Sequence, residues 1–130
     1  MKILLGCKEG RVSNNVLEVA VKHAKAFDAQ IMIVTSMIGG DKTEKDQIIK
    51  AEKSSKLIKE SLDKEGVQNE VHLLVRGMEP GEDIVRFAKE KKVDQIIIGV
   101  KNRSKVGKLI FGSAAQVVIL EAKCPVLAVK

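Results

Sequence analysis

The residues of this chain best suited to chemistry lie between Gly99 and Ser113. They are Gly99, Asn102, Arg103, Ser104, Gly107, Gly112 and Ser113, with Lys101, Lys105 and Lys108 interspersed. Gly and Asn tolerate left-handed backbone and let a ligand approach closely. Gly112-Ser113 precedes a helical stretch, and the free N–H groups and positive dipole end of a helix start attract phosphate. The segment 100–111 spans about a dozen residues, where such a connection usually takes about 2–6. The same residue types also build ordinary turns and caps. Taken alone, the residues leave two readings open: a phosphate cradle, or a surface loop ending in a helix cap.

Other chemistries fit less well. A P-loop needs Gly-x4-Gly-Lys-Ser/Thr, but Gly107-Lys108 is followed by Leu109. A dinucleotide fold needs Gly-x-Gly-x-x-Gly after its first strand, where this chain has only Gly6 and Gly10. His23 and His72 stand far apart with no carboxylate or thiol constellation, and read as packing or surface histidines. Glu79, Glu82 and Asp83 resemble a carboxylate cluster, yet acids in a first helical turn simply complement the dipole. Ser113 suits a cap and phosphate donor better than a nucleophile. No nucleophile has an identifiable base, and no metal set emerges. Cys7 and Cys124 make no metal or redox pair by spacing and should be free thiols.

The elements that must position these residues alternate regularly. Strands are expected over 2–7, 30–36, 70–75, 95–99 and 125–129. The four strands after the first are each preceded by a helix: one capped by Ser13 or Asn14, a long one opened by Asp41 or Thr43 and stopped by Gly66, one starting at Pro80, and a short one over 113–122. Strands such as Ile31-Met32-Ile33-Val34 and Ile96-Ile97-Ile98 are continuously apolar, as in parallel sheets covered on both faces. The expectation is one α/β domain over 1–130, a doubly wound five-stranded parallel sheet with helices on both faces. In such a sheet ligands bind beyond the carboxyl ends of the strands, where strand order reverses. The loops after the first, second and fourth strands are therefore the candidates.

Composition narrows the function. With hydrophobic residues at 45% and aromatics at 2%, the core must be Ile, Val, Leu and Ala. The net charge of +6 is spread beside acids, as in Lys42-Thr43-Glu44-Lys45-Asp46, and there is almost no aromatic platform for bases to stack on. Neither a nucleic-acid nor a membrane partner is expected. No run approaches the roughly 20 apolar residues of a membrane span. The apolar start Ile3-Leu4-Leu5 is too short for a signal peptide, so a cytoplasmic location is expected.

The run from Gly99 to Gly112-Ser113 resembles the nucleotide motif of the universal stress protein family, Gly-x2-Gly-x9-Gly-Ser/Thr. Cys124-Pro125-Val126-Leu127-Ala128-Val129 is similar to the family's closing strand, Lys2-Ile3-Leu4-Leu5 to its opening strand, and Gly77-Met78-Glu79-Pro80 to its third strand-to-helix turn. Two positions depart from the pattern. Asn102 replaces the second Gly, and Lys8 stands where the family usually has an Asp that holds the adenosine part. Lys8 would favour phosphate-rich ligands or pair with Glu9.

The resemblance implies strand order 3-2-1-4-5 and a stress-response or signalling protein that binds ATP or a related adenine nucleotide, with magnesium accompanying it, and without strong catalysis. The alternatives are a dimeric interaction module that has lost nucleotide, and a weak ATP hydrolase. Phosphate contacts would fall on Gly99, Asn102, Gly112 and Ser113, with Lys8 beside them and the adenine near Ser36 and Met37; the positive charge of Arg103 adds to the phosphate end. A homodimer through the apolar C-terminal edge strand, at Val126 and Leu127, is also implied. A protein partner is left unnamed.

Overall fold

In the computed structural model, residues 1–100 and 111–130 are described. The chain runs β1 (Lys2–Cys7), α1 (Asn14–Phe27), β2 (Gln30–Met37), a 3-10 turn (Gly40–Lys42), α2 (Lys45–Lys64), β3 (Asn69–Val75), α3 (Pro80–Glu90), β4 (Gln95–Gly99), α4 (Ser113–Glu121) and β5 (Val126–Val129). The strands form one sheet in the order β3-β2-β1-β4-β5, and every pairing is parallel.

Side chains alternate across a strand, so the central strand feeds two cores. Ile3 and Leu5 point to the face covered by α1 and α2, meeting Val16, Ala20, Ile58 and Leu62. Leu4 points to the other face and meets Ile84 and Phe87 of α3 and Val118 of α4. Ile3, Leu4 and Leu5 are all fully buried, which explains the unbroken apolar run in β1.

The sequence expectation of a doubly wound parallel sheet in the order 3-2-1-4-5 matches this architecture. Boundaries differ where local hydrogen bonds compete. α2 starts at Lys45, not at Asp41 or Thr43, because Gly40–Lys42 forms a 3-10 turn. The Thr43 hydroxyl accepts from the Gly39 N–H at 3.0 Å and so is turned away from the helix. Glu44 takes the cap position, and its N–H donates to the Gln47 side chain at 2.8 Å. Ser13, not Asn14, caps α1, accepting from the Val16 N–H. β5 begins at Val126, although the Pro125 carbonyl already accepts from the Ile96 N–H.

The β1–α1 turn is pinned from below. Gly10 lies at φ +77°, and a Cβ there would run into the backbone of Ala51 in α2. Its N–H donates to the buried Thr35 hydroxyl at 3.1 Å.

Both cysteines are free thiols. Cys7 is buried, and desolvation pushes its thiol up to about 12. Cys124 is half-buried, and the same cause raises it. Since the thiolate is the nucleophile, Ellman's reagent at pH 8 should label Cys124 alone in the native protein. Cys7 should join it only on denaturation. Equal native rates would show that the carboxyl end of β1 opens freely.

Candidate functional site

The helices leave the sheet on opposite faces on either side of the β1–β4 junction, so the carboxyl ends of β2, β1 and β4 border an open crevice. The crevice is a cavity of about 410 Å³, within the range of about 300–1,000 Å³ for small-molecule sites. Of the residues anticipated from sequence, Lys8, Ser36, Met37, Gly99, Gly112 and Ser113 all line it. Asn102 and Arg103, with Lys101, Lys105 and Lys108, lie outside the described residues.

The α4 side of the cavity is set by close helix packing. A Cβ on Gly81 would sit 2.8 Å from the Cβ of Val117 and 3.0 Å from the Cα of Ala114, so only glycine lets the start of α3 approach α4 this closely. Gly112 occupies the cap position of α4, with no side-chain cap bond from the described residues, and Ser113 is the first helical residue and not the cap expected from sequence. The first intrahelical bond runs from the Gln116 N–H to the Gly112 carbonyl at 3.1 Å. The N–H groups of Ser113, Ala114 and Ala115 precede it, and a helix start leaves such groups without intrahelical partners. Gly112 has φ −63° and ψ 158°, an ordinary conformation, and a Cβ on it would meet nothing within 4 Å among the described residues. Neither backbone strain nor packing against those residues requires glycine here.

The opposite wall is apolar. Met37 is buried in the end of β2 and half-buried Ile38 follows it. Lys42, Thr43 and Gln47, from the connection into α2, also border the cavity; sequence reasoning marked this loop as a candidate without identifying these residues. Lys8 lies between the two walls. A pair of backbone bonds to Arg11, each 3.0 Å, closes a tight turn through Glu9 (φ 54°) and Gly10 and holds the Lys8 backbone. Glu9 pairs with Arg11 at 3.2 Å, not with Lys8. Neither Lys8 nor Lys42 forms an ion pair with a described residue.

Beneath the cavity is a buried polar network that sequence reasoning missed. Asp83 is fully buried. It accepts from the Ser36 hydroxyl at 2.7 Å and from Arg76 Nε at 2.8 Å. This hydrogen bond raises the Arg76 guanidinium further above its ordinary value. Arg76 also reaches Glu90 at 3.1 Å. The Ser36 hydroxyl thus braces α3 against β2 from inside the cavity wall. Asp83 is not a dipole-complementing surface acid like exposed Glu79 and Glu82. The readable signal was its register: Asp83, Ile84, Phe87 and Ala88 share one face of α3. His23 meets Gln95 and packs edge-on against Phe27, while His72 pairs with Glu70 beside Phe87, so both serve packing, as expected. Among the described residues no cluster could hold a metal ion, and no helix is long and apolar enough to cross a membrane.

The sequence pattern of the universal stress protein family matches residues 1–130. A universal stress protein from Methanocaldococcus jannaschii is 31% identical, the match covering 99% of this chain and 81% of the relative. One from Thermus aquaticus is 31% identical, covering 98% and 97%. In three dimensions, a universal stress protein from Archaeoglobus fulgidus superposes with a TM-score of 0.90 at 40% identity, over 100% of this chain and 98% of that one. Another structure from that organism, in complex with dAMP, gives 0.85 at 35% identity, over 100% and 98%. The chain belongs to the universal stress protein family.

Removing one partner of a buried ion pair typically destabilises by about 3–5 kcal/mol, and losing one neutral hydrogen bond by about 1 kcal/mol. Because Arg76 is one-third exposed, Arg76→Ala should fall at or below the lower end of that range in urea unfolding. Ser36→Ala should cost about 1 kcal/mol. The reverse order would show that Asp83 does not depend on its cation.

Proposed function

We propose that this universal stress protein family member is a single-domain, cytoplasmic stress-response or signalling protein that binds an adenine nucleotide, ATP or an AMP-like relative, across the carboxyl ends of β2, β1 and β4. The observation that carries the reading is the start of α4, without a side-chain cap among the described residues, opening into a cavity whose far wall is apolar. Phosphate sits against the free N–H groups at Gly112 and Ser113, beside Gly99. Asn102 is assigned to the same end by its place in the family motif, and Arg103 by its positive charge. The base lies against Met37, a soft and adaptable surface for an aromatic ring, above Ser36. Lys8 faces the sugar and phosphate, and magnesium accompanies a bound triphosphate. The dAMP complex of the 35% identical relative supports this ligand class. A helix start contributes about 0.3–1 kcal/mol toward an exposed anion. Several charge-assisted bonds of about 1.5–3 kcal/mol each then support affinities near about 1 μM.

Among the described residues lining the cavity no nucleophile stands beside a base, and the site is assigned to binding rather than strong turnover. Isothermal calorimetry with AMP and ATP, with and without magnesium, tests the reading. Both should bind, and Gly112→Val should weaken both at least about tenfold, a loss of about 1.4 kcal/mol. A Cβ at Gly112 meets none of the described residues within 4 Å, so the variant should stay folded, and any fall in its melting temperature should reflect no more than the roughly 1 kcal/mol of a poorer cap residue. If wild type binds neither, the dimeric interaction module takes over. Turnover of ATP with magnesium would instead favour the weak hydrolase.

The homodimer forms through β5. This strand ends the sheet with one edge unpaired among the described residues, and Leu120 of the preceding α4 is 81% exposed. Val126 and Leu127 each pack partly against a core, so charging them would also harm the fold. Exposed Ala128 is the cleaner probe. Ala128→Glu should shift sedimentation from dimer toward monomer, and an unchanged dimer would place the interface elsewhere.

A further inference from the structure

The strand order dictates what lies over each part of the cavity. The apolar wall of Met37 and Ile38 ends β2, and the free N–H groups belong to the helix that follows β4. Between them comes β1, so the ligand atoms bridging an apolar ring and a phosphate pass over the end of β1, at Lys8. Adjacent strands are about 4.8 Å apart, which places β2 and β4 about 9.6 Å apart, a span suited to a mononucleotide. Resting on the nucleotide reading above, this places the sugar beside an ammonium group.

That ammonium has no described carboxylate to neutralise it. Glu9, the one acid lining the main cavity among the described residues, is paired with Arg11. Lys8, with Gly6 and Gly99, also borders a second cavity of about 190 Å³, to which Arg11 and Ser13 contribute. No acidic side chain among the described residues lines it. An ammonium offers only donors, so a sugar hydroxyl gains little from it, whereas a phosphate oxygen gains a charge-assisted bond. Dinucleotide sites obey the same rule, with a carboxylate on a ribose hydroxyl and a cation on a ribose phosphate.

We infer that Lys8 makes this site selective for adenine nucleotides carrying a second phosphate on the sugar, at the 2′ or 3′ position, lodged beside Lys8 at the mouth of the second cavity. Calorimetry of the full chain at low salt with AMP, adenosine 3′,5′-bisphosphate, adenosine 2′,5′-bisphosphate and ATP tests this. At least one bisphosphate should bind about tenfold or more tightly than AMP, the worth of about 1.4 kcal/mol from an added charge-assisted contact. The ratio of bisphosphate to AMP affinity should fall to about one in Lys8→Gln and survive in Lys8→Arg, since both keep a long polar side chain but only Arg keeps the charge. Lys8 is exposed, so neither variant should disturb folding. If AMP binds and neither bisphosphate binds more tightly, the inference is overturned while the nucleotide reading stands. The same holds if Lys8→Gln leaves the ratio intact, or if ATP outcompetes both bisphosphates in a Lys8-dependent way, which would put the second anion on the 5′ chain. If none of the four binds, the nucleotide reading itself fails and the inference with it.

Discussion

Everything at the site depends on where the chain reverses its direction of travel across the sheet. β1 lies between β2 and β4, and the helices that follow β1 and β4, α1 and α4, cover opposite faces of the sheet. Right-handed crossovers then leave the carboxyl ends of β1 and β4 uncovered. The fully buried centre of β1, Ile3 to Leu5, supplies side chains to both cores and fixes this junction, so the loops leaving it can carry residues chosen for ligands.

Two devices convert the crevice into a shaped cavity. Gly81 lets α3 and α4 approach to backbone contact, which sets where the N–H groups at the start of α4 point. The Ser36–Asp83–Arg76 network ties the first turns of α3 to the end of β2. A carboxylate at zero exposure stabilises the fold only when fully partnered, so the network tolerates little movement between the two walls. The β1–α1 turn, held by Gly10 against α2 and by Thr35 beneath, supplies the third fixed point.

Much of this was legible in the sequence. Continuous Ile and Val runs separated by helical spacing announce a buried parallel sheet, and Gly112-Ser113 after a long connection announces a helix start, which the fold sets at the crevice. What stayed hidden depends on contacts distant in sequence. Asp83 looks like any first-turn acid until Ser36 and Arg76 are brought to it. Thr43 looks like a helix cap until the turn folds its hydroxyl onto Gly39, beneath an Ile38 carbonyl that accepts from Gly77 across the sheet edge at 2.8 Å. Lys42 and Gln47 reach the cavity only because of that turn. The charge reversal at Lys8 was readable as a residue type. Its place between two cavities, with the neighbouring Glu9 held by Arg11, required the fold.

The central claim is that the ends of β2 and β1 and the start of α4 form one nucleotide site. Amide chemical shifts followed during titration with AMP test it most directly. The account predicts that Met37, Ile38, Lys8, Gly112, Ser113 and Ala114 shift together with a single dissociation constant, while β3 and the exposed face of α2 stay still. Shifts confined to β5 or α2, or none at saturating AMP, would contradict it.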